Sequence, residues 1–323
     1  MQRPRTIDCH EPESGGQSGT GENGPEIFWP DNRQCAVVFT IHVDGESLYN
    51  RGPVPIPRSE SYGTYGPARA VDRILGLMEE EQIPCTFFIP GQIGKRYPDM
   101  VRKIDRMGHE IGFHGYDHEK AMFTDRPEAE WREVIRRSQA VFRELTGKPL
   151  KGFCATSSDF GESAFPVWKE MGFTYSSSMR GDDRPYRVTF QGKDLDFIEI
   201  PAKWELDDHP AFAYSFAPAV PKGMDRISSY RGVLSNWKHE FEGYYRYGLC
   251  MVFMLHPHII GTPGRFQMLR ELIHYMKSRP DVWFATGEAV ADWWQKVTAQ
   301  GESELLRQQA DRETGKEGGG FCG

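Results

Sequence analysis

Between residues 26 and 298 the apolar positions follow two rhythms that alternate along the chain. Short, nearly continuous apolar runs have the length of buried strands. They cover Cys35–Val43, Cys85–Pro90, Glu110–His114, Gly152–Ala155, Thr174–Met179, Phe197–Pro201, Leu249–Leu255 and Val282–Ala285. Between them apolar residues recur every three or four positions, as Ala70, Ile74, Leu77 and Met78 do, which is the signature of a helix with one buried face. This spacing predicts helices over Pro67–Glu81, Pro98–Met107, Glu128–Leu145, Glu162–Met171, Arg226–Tyr245, Arg265–Lys277 and Glu288–Val297. Strand and helix in turn through one core mean a parallel sheet, and so many units favour a distorted β/α barrel in a single domain over an open doubly wound sheet. No GxGxxG follows the first strand, which argues against a dinucleotide site.

The ends of the chain break the rhythm. Residues 1–25 are rich in Gly, Ser and Glu, and no Lys or Arg lies between Arg5 and Arg33. Such a segment buries too little surface to offset its ordering entropy, so a disordered tail is predicted. Residues 299–323, ending Glu-Gly-Gly-Gly-Phe-Cys-Gly, read as a largely disordered extension. The polar N-terminus has no apolar h-region, and no apolar run approaches the ~20 residues that cross a membrane. A cytoplasmic protein without a membrane partner is therefore expected. A net charge of −7 argues against nucleic acid as a partner. The 20 Phe, 13 Tyr and 8 Trp suffice for a large core. The six cysteines form no CxxC pair, so a structural zinc knuckle is not expected; Cys35, Cys85 and Cys250 read as core.

Polar residues interrupt this pattern where strands end. His42 and Asp44 close the first strand, His114 and His118 follow the third, Cys154 follows the fourth, and His256 follows the apolar run to Leu255. In a β/α barrel those ends share one face, so four separate segments deliver ionisable groups to one mouth. In a helical turn the i, i+4 pair His114 and His118 would point both imidazoles the same way. Asp44 adds a carboxylate, and two His plus one carboxylate leave open positions on a hydrolytic metal. Trp204 and Trp283 read as core; His109, His209, His239 and His274 read as structural or surface residues; Asp207 and Asp208 either orient His256 or cap a turn.

The runs Thr40-Ile41-His42-Val43-Asp44-Gly45-Glu46 and Gly108-His109-Glu110-Ile111-Gly112-Phe113-His114-Gly115-Tyr116-Asp117-His118 resemble the motifs of the polysaccharide deacetylase (NodB-homology) family. Ser176-Ser177-Ser178, Gly181-Asp182-Asp183-Arg184-Pro185-Tyr186, Trp204-Glu205-Leu206-Asp207-Asp208 and His256-Pro257-His258 continue the resemblance, which spans Phe28 to Trp294. The branch without secretion signals, with peptidoglycan-deacetylase-like proteins, cyclic imide hydrolases and allantoinases, is the most similar. The resemblance implies a distorted barrel and one divalent metal, zinc first, with cobalt and nickel accepting the same ligands. It implies Asp44, His114 and His118 as ligands and His256 as the acid that protonates the leaving nitrogen. The loop Cys154, Ala155, Thr156 and Ser157 is implied in holding substrate or oxyanion. It also implies a homotetramer.

The chain departs from the family twice. Where the first motif normally carries a catalytic Asp there is His42, and where the third carries an Arg paired with that Asp there is Cys154. Losing both members keeps the charge balance, whereas losing one would strand a buried charge at a cost of ~3–5 kcal/mol. The site therefore reads as retuned, with His42 as a neutral base or hydrogen-bonding group. The expected function is metal-dependent hydrolysis of an amide or cyclic imide bond in a small cytosolic compound. The alternatives are N-deacetylation of amino sugars or peptidoglycan fragments, and a catalytically silent binding protein on the same barrel.

Overall fold

Eight consecutive buried residues, Cys35–His42, form strand β1 of the computed structural model. A strand buried on both faces belongs inside a parallel sheet covered on both sides. The structure describes residues 29–48, 57–119, 123–124, 126–156, 160–161, 163–213 and 228–299. The other strands are β2 (Thr86–Ile89), β3 (Glu110–Phe113), β4 (Gly152–Phe153), β5 (Tyr175–Ser176), β6 (Tyr186–Phe190), β7 (Lys193–Glu199), β8 (Cys250–Leu255) and β9 (Val282–Ala285). The ladder runs β6-β7-β5-β4-β3-β2-β1-β8. Among the strand pairings of the described residues, only β6–β7 is antiparallel. With β8 along one edge of β1, the other edge is shared: β9 pairs with Cys35–Val38 and β2 with Thr40–His42. Between the two ends of the ladder, a parallel bridge from Asp207 to Met254 joins the segment after β7 to β8. The result is a distorted β/α barrel.

The helices are α1 (Pro57–Tyr65), α2 (Val71–Glu81), α3 (Gly91–Arg96), α4 (Pro98–Arg106), α5 (Glu128–Thr146), α6 (Ala164–Glu170), α7 (Asp208–Phe212), α8 (Tyr230–Tyr247), α9 (Pro257–Ile260), α10 (Pro263–Lys277) and a last helix over 287–299. Alternation along β1 divides the core in two. Cys35, Val37, Phe39 and Ile41 pack with the surrounding helices, while Ala36 and Val38 join Phe88, Cys154, Tyr175 and Val252 in the barrel interior. The same period of two carries Thr40 and His42 up the inner face. The interior has little room: a Cβ on Gly112 would meet the Phe88 ring, and one on Gly152 the Tyr175 phenol. Trp29 sits against Trp283 and Trp294 at 5.9 and 5.8 Å and donates to Gly248 O at 3.0 Å.

Two elements go beyond the apolar pattern. The β6–β7 hairpin turns through Gln191 and Gly192, at φ 51° and 74°, the left-handed pair that a two-residue turn with the native twist needs. Its second strand opens Lys-Asp-Leu-Asp and is exposed there, so it gives no apolar alternation. Helix α1 is polar for the same reason, with charged and small residues on most of its surface. The strand predicted over Thr174–Met179 pairs only at Tyr175–Ser176. The helix predicted from Arg226 begins at Tyr230, where Ser229 caps it by accepting from Gly232 N. Residues 1–25, and 299–323 apart from Ala299, lie outside the described residues.

Candidate active site

Strand ends place the chemistry. His42 is the last residue of β1 and Asp44 stands two beyond it; His114, Cys154 and His256 each follow a strand directly. All are buried, as is His118. Asp44 Oδ1 lies 3.4 Å from His114 Nε2 and 3.5 Å from His118 Nε2, and it accepts no hydrogen bond. Ligands ~2.1 Å from one tetrahedral ion stand ~3.4 Å apart, so these three atoms are spaced as donors around a single cation. Burial alone would raise the Asp44 carboxyl, but the surrounding imidazoles outweigh it and hold it well below the usual range. The donor set therefore fits one divalent metal.

The helical turn expected for His114 to His118 is not what joins them. The segment is irregular, and Gly115 and His118 adopt φ of 75° and 55°. Two left-handed residues fold the loop back, and the rings meet edge to face at 5.0 Å. His114 Nδ1 lies 2.8 Å from Cys154 O, an acceptor only, so this nitrogen donates and the ring is held with Nε2 toward Asp44.

His256 faces the same carboxylate from β8, with Nε2 3.8 Å from Asp44 Oδ2. Its Nδ1 donates to Asp208 Oδ1 at 2.7 Å and its backbone N to Asp208 Oδ2 at 2.9 Å. Burial disfavours the charged ring, yet Asp208, Asp207 and Asp44 outweigh it and push His256 up to about 10. Both readings of the acidic pair hold, one for each residue. Asp208 orients His256, while Asp207 caps α7 by accepting from His209 N at 2.8 Å and stands 3.7 Å from His256 Nδ1. His258 is buried edge to face against Tyr62, and burial with the charge on His256 pulls it down to about 3. His209 comes nearer than its sequence position suggests, with its ring 5.4 Å from that of His256.

His42 shares hydrogen bonding with Thr40. Thr40 Oγ1 donates to Phe253 O at 2.7 Å, so at 3.0 Å it accepts from His42 Nε2. That fixes the neutral tautomer with Nδ1 as acceptor. Burial, then the charges of His114 and His256, keep His42 well below its ordinary value. Ligand atoms of His42, His114 and Cys154 lie within 4.8 Å of one another. The Cys154 thiol donates to Ser177 O at 3.0 Å and burial pushes its pKa up, which does not suit a nucleophile. Ala155 N donates to Ser178 Oγ at 3.0 Å, and Thr156 Oγ1 donates to Glu119 O. Ser157 lies outside the described residues.

Two residues near the site had no signal in the apolar pattern, and a third had a misleading one. Glu199 is buried, accepts from Ser178 N and Met179 N at 2.6 and 2.7 Å, and is lifted by burial to about 7. Arg180 stacks on Trp204 at 4.3 Å. Trp204, expected in the core, is 50% exposed, because the turn Trp204–Leu206 buries Leu206 instead. His109, His239 and His274 stand apart from the site: Cys85 N donates to His109 Nδ1, and the other two are exposed on helices.

Comparison with known proteins gives a consistent picture. The family model described as polysaccharide deacetylase matches residues 64–176. A crystal structure from Mycobacterium smegmatis, assigned to the polysaccharide deacetylases, superimposes with a TM-score of 0.75 at 33% identity, covering 85% of this chain and 93% of that one. The Puue allantoinase structure superimposes with a TM-score of 0.73 at 26% identity, covering 86% and 96%. A Helicobacter pylori relative named peptidoglycan deacetylase is 26% identical over 80% of this chain and 96% of its own length.

Proposed function

The chain belongs to the polysaccharide deacetylase family, and from that premise we propose that it is a metal-dependent hydrolase of an amide or cyclic imide bond in a small cytosolic compound. Membership of the family carries deacetylase-type hydrolysis of a C–N bond. The observation that carries metal dependence is Asp44 Oδ1, buried without a hydrogen bond between two imidazole nitrogens at 3.4 and 3.5 Å. Asp44, His114 and His118 would hold the ion. When bound, it supplies Lewis acidity, polarising the scissile carbonyl and making water more acidic.

The protein's own groups manage the protons. His256, charged at neutral pH through Asp208, gives its Nε2 proton to the leaving nitrogen. His42 Nδ1 accepts from water or substrate, with its tautomer set by Thr40. His114 is held in register by Cys154 O, so the loop after β4 couples ligand orientation to the substrate wall. Burial holds His42 well below its ordinary value and so makes it a weak base, which suits an imide, whose carbonyl is more electrophilic than an acetamide's. The similarity to an allantoinase favours this reading. Deacetylation of amino sugars is the second reading, favoured by the Helicobacter pylori relative's name.

Elemental analysis combined with turnover of succinimide, hydantoin and acetylated chitin oligomers tests both. One metal per chain is expected, lost on Asp44→Ala, His114→Ala or His118→Ala while circular dichroism stays native. Metal-free protein with full activity would refute the metal role, and turnover of the oligomers alone would establish the second reading.

A further inference from the structure

Beyond β5 the rim carries a cation that the constellation above does not use. Arg180 lies between the two segments that build the site. Its neighbours Ser178 and Met179 bind Glu199, and Ser178 Oγ accepts from Ala155 N. On the other side Ala202 N donates to Met179 O at 3.0 Å, Lys203 Nζ reaches Arg180 O at 3.4 Å, and Trp204 supplies the stacking face. The Nε of Arg180 is buried and meets no acceptor. Its charge acts on Glu199 and Asp207, but among the described residues neither forms an ion pair with it. The adjacent Lys203 is committed to Asp183 at 2.9 Å.

A guanidinium held 4.3 Å over an indole ring can still offer its terminal N–H groups to a planar bidentate partner. Glu199, Asp207 and Asp208 already crowd the neighbouring segments with buried carboxyl groups. A single cation there can balance a monoanion, whereas a phosphate dianion would leave charge uncompensated. We propose that Arg180, stacked on Trp204, determines specificity by pairing with a carboxylate that the substrate carries a few bonds from the scissile C–N bond. This rests on the C–N hydrolase reading above.

The matched probes are 5-(carboxymethyl)hydantoin and its methyl ester, which share the ring and differ in the charge. Both kcat/KM and binding by titration calorimetry are measured for the wild type, Arg180→Met and Arg180→Lys. A charge-assisted hydrogen bond predicts a wild-type preference of roughly 10–100-fold for the acid. That ratio should collapse toward one in Arg180→Met and recover in part in Arg180→Lys. A wild type that binds the acid no better than the ester overturns the proposal. So does Arg180→Met with its preference intact, which would mean that Arg180 only offsets Glu199 and Asp207. If neither compound is hydrolysed, the turnover arm speaks against the imide reading, and the binding ratio still decides the role of Arg180.

Discussion

Asp208→Asn keeps the shape of the acid's partner and removes its charge. Asp208 accepts from His256 Nδ1 at 2.7 Å and from His256 N at 2.9 Å, and it is fully buried. A carboxamide can accept at only one of those two points. Each tenfold change in proton affinity is about 1.4 kcal/mol, so raising His256 against burial to about 10 requires several kcal/mol of attraction, mostly from Asp208. A divalent cation held by Asp44 would outweigh the last of those attractions and repel the charged ring, so the titration is read on the metal-free protein. Without Asp208, burial should bring His256 below its ordinary ~6.5. In the wild type the ring is charged at neutral pH and loses its proton as pH rises through about 10. In the variant that loss moves to the acid side of neutral. The expected result at pH 8 is a kcat lower by ~10²–10⁴-fold with unchanged metal content. The proton also stabilises the fold: its contribution is complete below ~6.5, declines above it and is gone beyond about 10, and the variant should lack that alkaline decline. Long-range 1H–15N spectra of the imidazoles read the titration without any substrate. If His256 in Asp208→Asn stays charged at pH 8, or if kcat is unchanged, the assignment of His256 and Asp208 as proton donor and orienter is wrong.

Two further outcomes are expected. Gly112→Ala drives a methyl into the Phe88 ring inside the barrel and should cost ~1–3 kcal/mol in urea unfolding; an unchanged midpoint would mean the ring has room to move. His42→Asp and Cys154→Arg should couple, because their ligand atoms lie within 4.8 Å of each other. Each single substitution leaves one buried charge unpaired and should be poor on both imide and acetylated sugar, while the double variant should shift toward the sugar; additive effects without a shift would place substrate choice in the loops.

Periodicity along the chain determined most of the scaffold. The run Cys35–His42 could only be an interior strand, and a strand of that kind ends at a mouth, which is why His42, Asp44, His114, Cys154 and His256 were legible as one site. Together with the family resemblance, their types and order were enough to read a hydrolase of C–N bonds. What the sequence could not carry were contacts made across the chain by residues with no apolar rhythm. The left-handed loop that brings His118 to His114 replaces the helical turn because two positive φ angles, not spacing, aim the ring. The hairpin turn at Gln191–Gly192 joins strands too polar to announce themselves. Asp207 and Asp208 were indistinguishable neighbours until the bridge between Asp207 and Met254 brought their segment beside β8, leaving one to cap a helix and the other to charge His256. Glu199 and Arg180 meet the site only because β7 and the segment after β5 lie side by side in the ladder, an adjacency set by hydrogen-bond pairing between distant segments and invisible to any local pattern.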